Sequence, residues 1–207
     1  IEKKYVQDVY DRIATDFSDT RYRTWTCVED FLDSIPDNST IADIGCGNGK
    51  AMLYKENLLW SGCDNSTNLV KICEGRGLNV QMGDVLNIPF EDNVYDYTIC
   101  IAVIHHLSTQ EKRMKAVEEL VRITKPGGQI FILVWALDQP SDSRRKFTEQ
   151  DNYVNFCNKE KEVLGKRYYY VFTQNELESL LPDNVNIVKS IYELGNYGVI
   201  IRKFEII

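Results

Sequence analysis

The sequence predicts an α/β fold: a doubly wound, mostly parallel seven-stranded sheet with an antiparallel terminal strand. Two patterns carry that expectation. Apolar strand-like runs alternate with helical segments through the first two-thirds of the chain, as parallel β-α-β units require. The chain then closes with two adjacent strand patterns, Val185 to Tyr192 and Tyr197 to Lys203, read as an antiparallel hairpin turned at Gly195-Asn196.

The opening segment predicts an amphipathic helix, because Val6, Val9, Tyr10, Ile13 and Phe17 recur at helical spacing. A second helix is expected from Thr26 through Leu32, ending before Pro36. Ile41 to Gly45 and Leu58 to Cys63 read as the first two strands. Ser66 is placed to cap a helix ending near Gly75 or Gly77. Leu78 to Met82 is the third strand. Tyr97 to Val103 is a continuous apolar run, the pattern of a central strand covered on both faces. Gln110 to Thr124 is helical, Pro126-Gly127-Gly128 a turn, and Ile130 to Trp135 another buried strand. Residues 138–166 are charged and irregular, expected to be a mobile loop with at most a short helix. Glu176 to Leu181 is a short helix stopped by Pro182.

At 207 residues the chain suits one well-buried α/β domain, 1–207. Within it, 1–38 supply N-terminal helices, 39–137 a ligand-binding core, 138–166 the loop, and 167–207 a C-terminal helix and strand pair. No apolar run approaches the roughly 18–20 residues of a membrane span, so no membrane association is expected. The N-terminal stretch lacks the apolar core of a secretory signal, and a chain opening on Ile1 is expected to be a trimmed start. The six cysteines contain no C-x-x-C pair, which argues against a structural zinc site; no metal ligand set is expected. Reduced, mostly buried thiols suggest the cytoplasm, with the nucleus also open. The net charge of −7 opposes nucleic-acid binding unless basic residues gather on one face or a partner supplies them.

The chemistry begins at Gly45-Cys46-Gly47-Asn48-Gly49, where a strand runs into three glycines that let backbone turn sharply beside a ligand. Alone, such a triplet is equally a tight turn. Three acids sharpen it. Asp64 ends the second strand, where a carboxylate can accept from both ribose hydroxyls, and Asp84 follows the third, where it can accept from an adenine amino group. Asp43 precedes the loop, near the place for a ligand's ammonium group. Cys46, Asn65, Val85 and Ala102 flank these positions and are expected to line the same site. Acids at both ends suit a cationic amino acid and sulfonium better than a pyrophosphate. With these elements in order, residues 40–135 resemble class I S-adenosylmethionine-dependent methyltransferases, whose fold is Rossmann-like.

A narrower resemblance rests on separated segments: Tyr5-Val6 through Trp25 with Thr20-Arg21-Tyr22-Arg23, Ile101 through Thr109 with His105-His106, Trp135-Ala136-Leu137-Asp138-Gln139, Ser143-Arg144-Arg145, and Arg167-Tyr168-Tyr169-Tyr170. Together they are similar to the eukaryotic tRNA wobble-uridine carboxymethyl methyltransferases. The resemblance implies S-adenosylmethionine as cofactor and transfer of a methyl group to the carboxylate of 5-carboxymethyluridine at tRNA position 34, in the anticodon loop. It also implies a heterodimer with a small zinc-binding activator, for which the edge strand 78–82 is the expected contact. The long basic insertion common in fungal members is absent, which leaves Arg144, Arg145, Lys146, Lys166 and Arg167 to hold tRNA.

A carboxylate is already ionised near neutrality, so positioning rather than a strong base is expected to carry the reaction. Arg21 and Arg23, as carboxylate or phosphate clamps, and His105 and His106 are therefore the candidate catalytic residues. Either histidine could instead cap or pack. Tyr22, Trp25, Trp135 and Tyr168 are candidates to stack a splayed base, with Gln139, Arg144 and Arg145 also facing the substrate, though each aromatic could equally be a packing residue. Two other readings stay open: a small-molecule carboxyl or quinone methyltransferase, and a non-catalytic cofactor-binding subunit.

Overall fold

The computed structural model describes residues 1–19 and 24–205. Its main sheet has seven strands in the order β3-β2-β1-β4-β5-β9-β8. Here β1 is Thr40–Ile44, β2 Leu59–Asp64, β3 Val80–Met82, β4 Tyr95–Ile101, β5 Thr124–Trp135, β8 Val185–Glu193 and β9 Asn196–Lys203. Strands β1 to β5 pair in parallel, while β9 runs antiparallel to both β5 and β8. The predicted architecture therefore stands, with the connection order reversing at β1 and β4, where ligands bind in open sheets.

Alternation along the central strands builds a core on each face. Ile130, Ile132 and Val134 join Ala42, Ile44, Val117, Leu120 and Ile201 on one side, under α5 (Gln110–Ile123). Phe131 and Leu133 join Ile41, Ile99, Phe31 and Leu32 on the other, under α2 (Thr26–Asp33). The Ser66 hydroxyl caps α4 (Thr67–Gly75) by accepting from Leu69 N at 3.3 Å, as its position predicted. At the N-terminus, α1 (Asp8–Asp19) continues from a π-helical turn over Lys3–Gln7. Among the described residues no helix is long and apolar enough to cross a membrane.

Several expectations change. Strand β4 stops at Ile101, because Ala102 adopts φ 62°, a left-handed conformation that turns the chain at the carboxyl end of this central strand. The predicted Pro126-Gly127-Gly128 turn is instead a bulge inside β5, where Thr124 and Gln129 flank it opposite Tyr95 and Tyr97. The terminal hairpin turns one residue earlier than expected, on Leu194-Gly195, with φ of 47° and 75° at the two positions. Two consecutive positive φ values are what a right-twisted two-residue hairpin demands.

The largest correction concerns 138–166. Instead of one mobile loop, Asp151–Cys157 (β6) and Val163–Tyr170 (β7) pair as a separate antiparallel hairpin. Its alternation is masked because most side chains of β6 face solvent and its turn is charged. The hairpin packs Phe156 and Leu164 on Val9, Ile13 and Phe17 of α1, a third small core. Gly165 permits that approach: a Cβ there would meet Val9 Cγ1 at 2.9 Å.

Candidate active site

A cavity of about 1160 Å³ opens at the carboxyl ends of β1, β2, β4 and β5, roofed by α1, β6 and β7. Asp43, Gly45, Cys46, Gly47, Asp64, Asn65, Asp84, Val85 and Ala102 all line it, so the structure gathers the predicted cofactor residues at one end. Gly49 is the exception. It caps α3 (Lys50–Tyr54) with φ 74°, and a Cβ there would meet Leu78 Cδ1 at 2.3 Å, so its contribution is to close packing behind the loop. Gly45 is equally constrained, with φ 73° and Val103 Cγ2 at 2.4 Å from a built Cβ.

Asp64 ties the loop together. Its Oδ2 accepts from Gly47 N and its Oδ1 from Ser66 N, both at 2.9 Å. Burial raises its pKa while those amides oppose the rise. Asp43 is pushed up to about 7 by burial and by Asp64, with Lys50 working the other way. Two buried carboxylates side by side favour a cationic ligand, which would relieve both desolvation and mutual repulsion. The Asp84 Oδ1 accepts from Leu86 N at 2.8 Å, holding the turn after β3.

The opposite end is aromatic and basic. His105 and His106 follow β4 in a 3₁₀ turn, Ile104–His106, and both are buried. His106 is bonded through both ring nitrogens and His105 through Nδ1. His105 Nδ1 accepts from Trp135 N at 3.0 Å. His106 Nδ1 donates to the Tyr168 carbonyl at 2.7 Å, because a carbonyl cannot donate; its Nε2 therefore accepts from Tyr10 Oη at 3.0 Å. Burial drives both pKa values down, His105 well below the usual range and His106 to about 3. Neither imidazole therefore keeps the near-neutral pKa of a free histidine. Both imidazoles are neutral braces between β4, β5, β7 and α1.

Behind them, Tyr169 stacks on Trp135 with centroids 4.0 Å apart and planes at 2°. Arg145 lies over the Trp135 ring at 4.5 Å. The indole predicted to stack a base thus already packs against Tyr169 and Arg145. Trp25, Arg144 and Arg145 also line the cavity. Two predicted substrate residues do not. Tyr168 is 1% exposed and its hydroxyl donates to Asp151; neighbouring residues of a strand face opposite sides, and Tyr169 faces the site. Gln139 donates from Nε2 to the Ala136 and Gly195 carbonyls at 2.7 and 2.9 Å, bracing the terminal hairpin. Arg21, Tyr22 and Arg23 lie outside the described residues.

Sequence reasoning missed Tyr10, Tyr169 and Arg167 as members of the site. All three line the cavity. Their signal lay within the quoted Tyr10 and Arg167-Tyr168-Tyr169 segments, but only the phase of β7 separates the inward residues from the outward one. Among the described residues no cluster of three or more His, Cys, Asp or Glu side chains could hold a metal ion.

Comparison with known proteins agrees with this arrangement. The family described as "Methyltransferase domain" matches residues 42–132. The tRNA (carboxymethyluridine(34)-5-O)-methyltransferase of Schizosaccharomyces pombe is 40% identical over 98% of this chain and 97% of its own length. A protein of the same name from Arabidopsis thaliana is 50% identical over 69% of this chain, and the match spans 35% of that relative's length. A Haloferax volcanii methyltransferase, solved in complex with the Trm112 methyltransferase activator, superposes with a TM-score of 0.71 at 16% identity, covering 98% of this chain and 99% of that one. At that identity the likeness concerns fold.

Proposed function

Because the chain belongs to the tRNA (carboxymethyluridine(34)-5-O)-methyltransferase family, we propose that it esterifies the carboxylate of 5-carboxymethyluridine at the wobble position of tRNA, with S-adenosylmethionine as methyl donor. The observation that carries the reading is the state of the two histidines. Each has its basic lone pair engaged by a donor, and each is held neutral by burial. Neither is available to take a proton from an amine, hydroxyl or ring carbon. An acceptor that arrives already ionised needs no such base, and a carboxylate, with a reference pKa of about 4, is one.

Bound S-adenosylmethionine supplies an electrophilic methyl group on a cationic sulfur. Asp43 is assigned to its ammonium group, Asp64 to the ribose and Asp84 to the adenine amino group. Asp64 already accepts two backbone bonds, but an ionised carboxylate offers about four acceptor sites, which leaves room for hydroxyls. The cavity walls of Trp25, Trp135 and Tyr169 keep water from the transfer, so the residues contribute orientation and exclusion rather than proton transfer.

A small activator subunit is assigned to the β3 edge. That strand ends the sheet with only three residues, of which Met82 is 45% exposed, and Leu59 at the start of the neighbouring β2 is 56% exposed. An unpaired edge next to exposed apolar side chains suits strand addition by another chain.

The test incubates the chain, coexpressed with an activator, with labelled cofactor and tRNA bearing 5-carboxymethyluridine. Label is expected as a base-labile ester at the wobble position. Label on another base, or esterification of a free acid without dependence on tRNA, contradicts the proposal.

A further inference from the structure

The basic end of the cavity contains a buried cation with no neutralising partner among the described residues. Arg167 is 5% exposed, and among the described residues no carboxylate lies within ion-pair distance of it. Its guanidinium sits 5.0, 5.3 and 5.6 Å from the rings of Phe156, Tyr169 and Tyr10. Its Nη1 donates to Tyr10 Oη at 3.2 Å, while its buried Nε has no acceptor. Arginine stays protonated and presents five N–H donors in a planar fork. Aromatic faces offset part of the cost of burying that charge, but they do not fill its hydrogen-bond capacity. A guanidinium in this condition, in the wall of a cavity, is suited to an anion with two acceptor oxygens.

We propose that Arg167 binds the acceptor carboxylate, and so makes the site select a carboxymethyl group over a neutral substituent on the same base. This rests on the carboxyl-methylating reading above. Sequence reasoning grouped Arg167 with Arg144, Arg145, Lys146 and Lys166 as tRNA contacts; its burial separates it from Arg144, which is exposed. Tyr10 and His106 are positioning residues in this scheme. His106 Nε2 accepts the hydrogen bond of the Tyr10 hydroxyl, which turns the phenol oxygen's lone pair toward the Arg167 Nη1 hydrogen. His106 Nδ1 then anchors the same group to β7, the strand that carries Arg167.

The bond balance gives Arg167 a second consequence. The carboxylate oxygen forms the new O–C bond as the S–C bond breaks, with that electron pair going to sulfur. The ester left behind is neutral and can no longer pair with the guanidinium. Loss of that pairing favours product release.

The experiment compares wild type, Arg167→Met and Arg167→Lys, each coexpressed with the activator, on tRNA bearing 5-carboxymethyluridine. Competition by tRNA bearing the uncharged carbamoylmethyl analogue is measured alongside. Wild type is expected to bind the carboxylate form at least about tenfold more tightly than the amide form. Arg167→Met should lose that preference and fall roughly 100-fold in kcat/KM, with cofactor Kd changed less than about twofold. Arg167→Lys keeps the charge and loses the fork, so it should keep the preference at reduced kcat/KM. Should Arg167→Met not fold, as loss of cofactor binding would reveal, the lysine variant and the wild-type preference decide. A preference for the carboxylate-bearing tRNA that survives unchanged in Arg167→Met, or a wild type that does not distinguish the two tRNAs, overturns the proposal. A wild type that forms no ester at all overturns instead the reading on which it rests.

Discussion

The acidic and the basic ends of the cavity are built in different ways. Asp43, Asp64 and Asp84 sit at or just beyond the ends of three adjacent parallel strands, β1, β2 and β3, and act on their own or the neighbouring strand's loop. The basic end is assembled across the chain: Tyr10 meets His106 over a separation of 96 residues and Arg167 over 157. The first end is a set of local strand-to-loop devices on a rigid sheet. The second exists only when α1 and the β6-β7 hairpin dock over that sheet. Changes at the acidic end should therefore act on cofactor affinity, and changes at the basic end on folding of the roof and on acceptor use.

The largest effect is expected at the brace of the basic end. His106→Ala leaves a void and strips partners from Tyr10 Oη and the Tyr168 carbonyl, a loss of about 3 kcal/mol. Thermal unfolding should show it, with a Tm lower by roughly 5–10 °C. The wild-type brace also has a pH signature. Its folded pKa is depressed to about 3 from 6.5, so its stabilisation is complete above pH 6.5 and is lost as pH falls toward 3. His106→Ala should flatten that part of the acid limb. An unchanged limb would mean that His106 is not held neutral by the packing described.

Next in size is Asp64→Ala, which removes the acceptor for Gly47 N and Ser66 N. Cofactor affinity should drop roughly 100-fold by titration calorimetry, with circular dichroism unchanged. A drop in stability without a drop in affinity would erase the distinction between the two ends.

A smaller effect concerns Asp43. With its pKa near 7, the ligand-free carboxyl is protonated in mildly acidic solution, whereas a cationic ligand requires the ionised form. Cofactor Kd should rise about fivefold between pH 7 and pH 6, and Asp43→Asn should abolish that dependence. The smallest effect is expected at Gln139, outside the cavity. Gln139→Ala should cost about 1 kcal/mol through its two carbonyl contacts and leave acceptor KM unchanged. A raised KM would return it to the substrate site.

The same contrast explains what was legible in the sequence. The sheet and the acidic end were readable because a buried parallel strand and the loop after it are contiguous, so Asp64 after Leu59–Cys63 announces its own position. Ser66 was recognisable as a cap for the same reason. The β6-β7 hairpin is not, since the exposed side of β6 mixes Asp151, Tyr153, Asn155 and Cys157, its turn is charged, and its buried face is read only against α1. Without the phase of β7, Tyr168 and Tyr169 are interchangeable, and only the fold shows that Tyr169 is the one lining the cavity. Arg167 looked like any surface cation, because nothing local distinguishes a buried arginine from an exposed one. The histidine pair was found by position, yet its neutrality depends on Trp135, Tyr168 and Tyr10, which only the fold brings near.

The central claim is that the acceptor end supplies orientation and charge but no base. Single-turnover methyl transfer at saturating cofactor, followed from about pH 5.5 to 8.5 on tRNA bearing 5-carboxymethyluridine, tests it most directly. The acceptor is ionised throughout that range, so the rate should stay level within about twofold. A rate that climbs roughly tenfold per pH unit and levels off near pH 6.5–7 would reveal a titrating base in the transfer step, and would contradict the assignment of His105 and His106 as neutral braces.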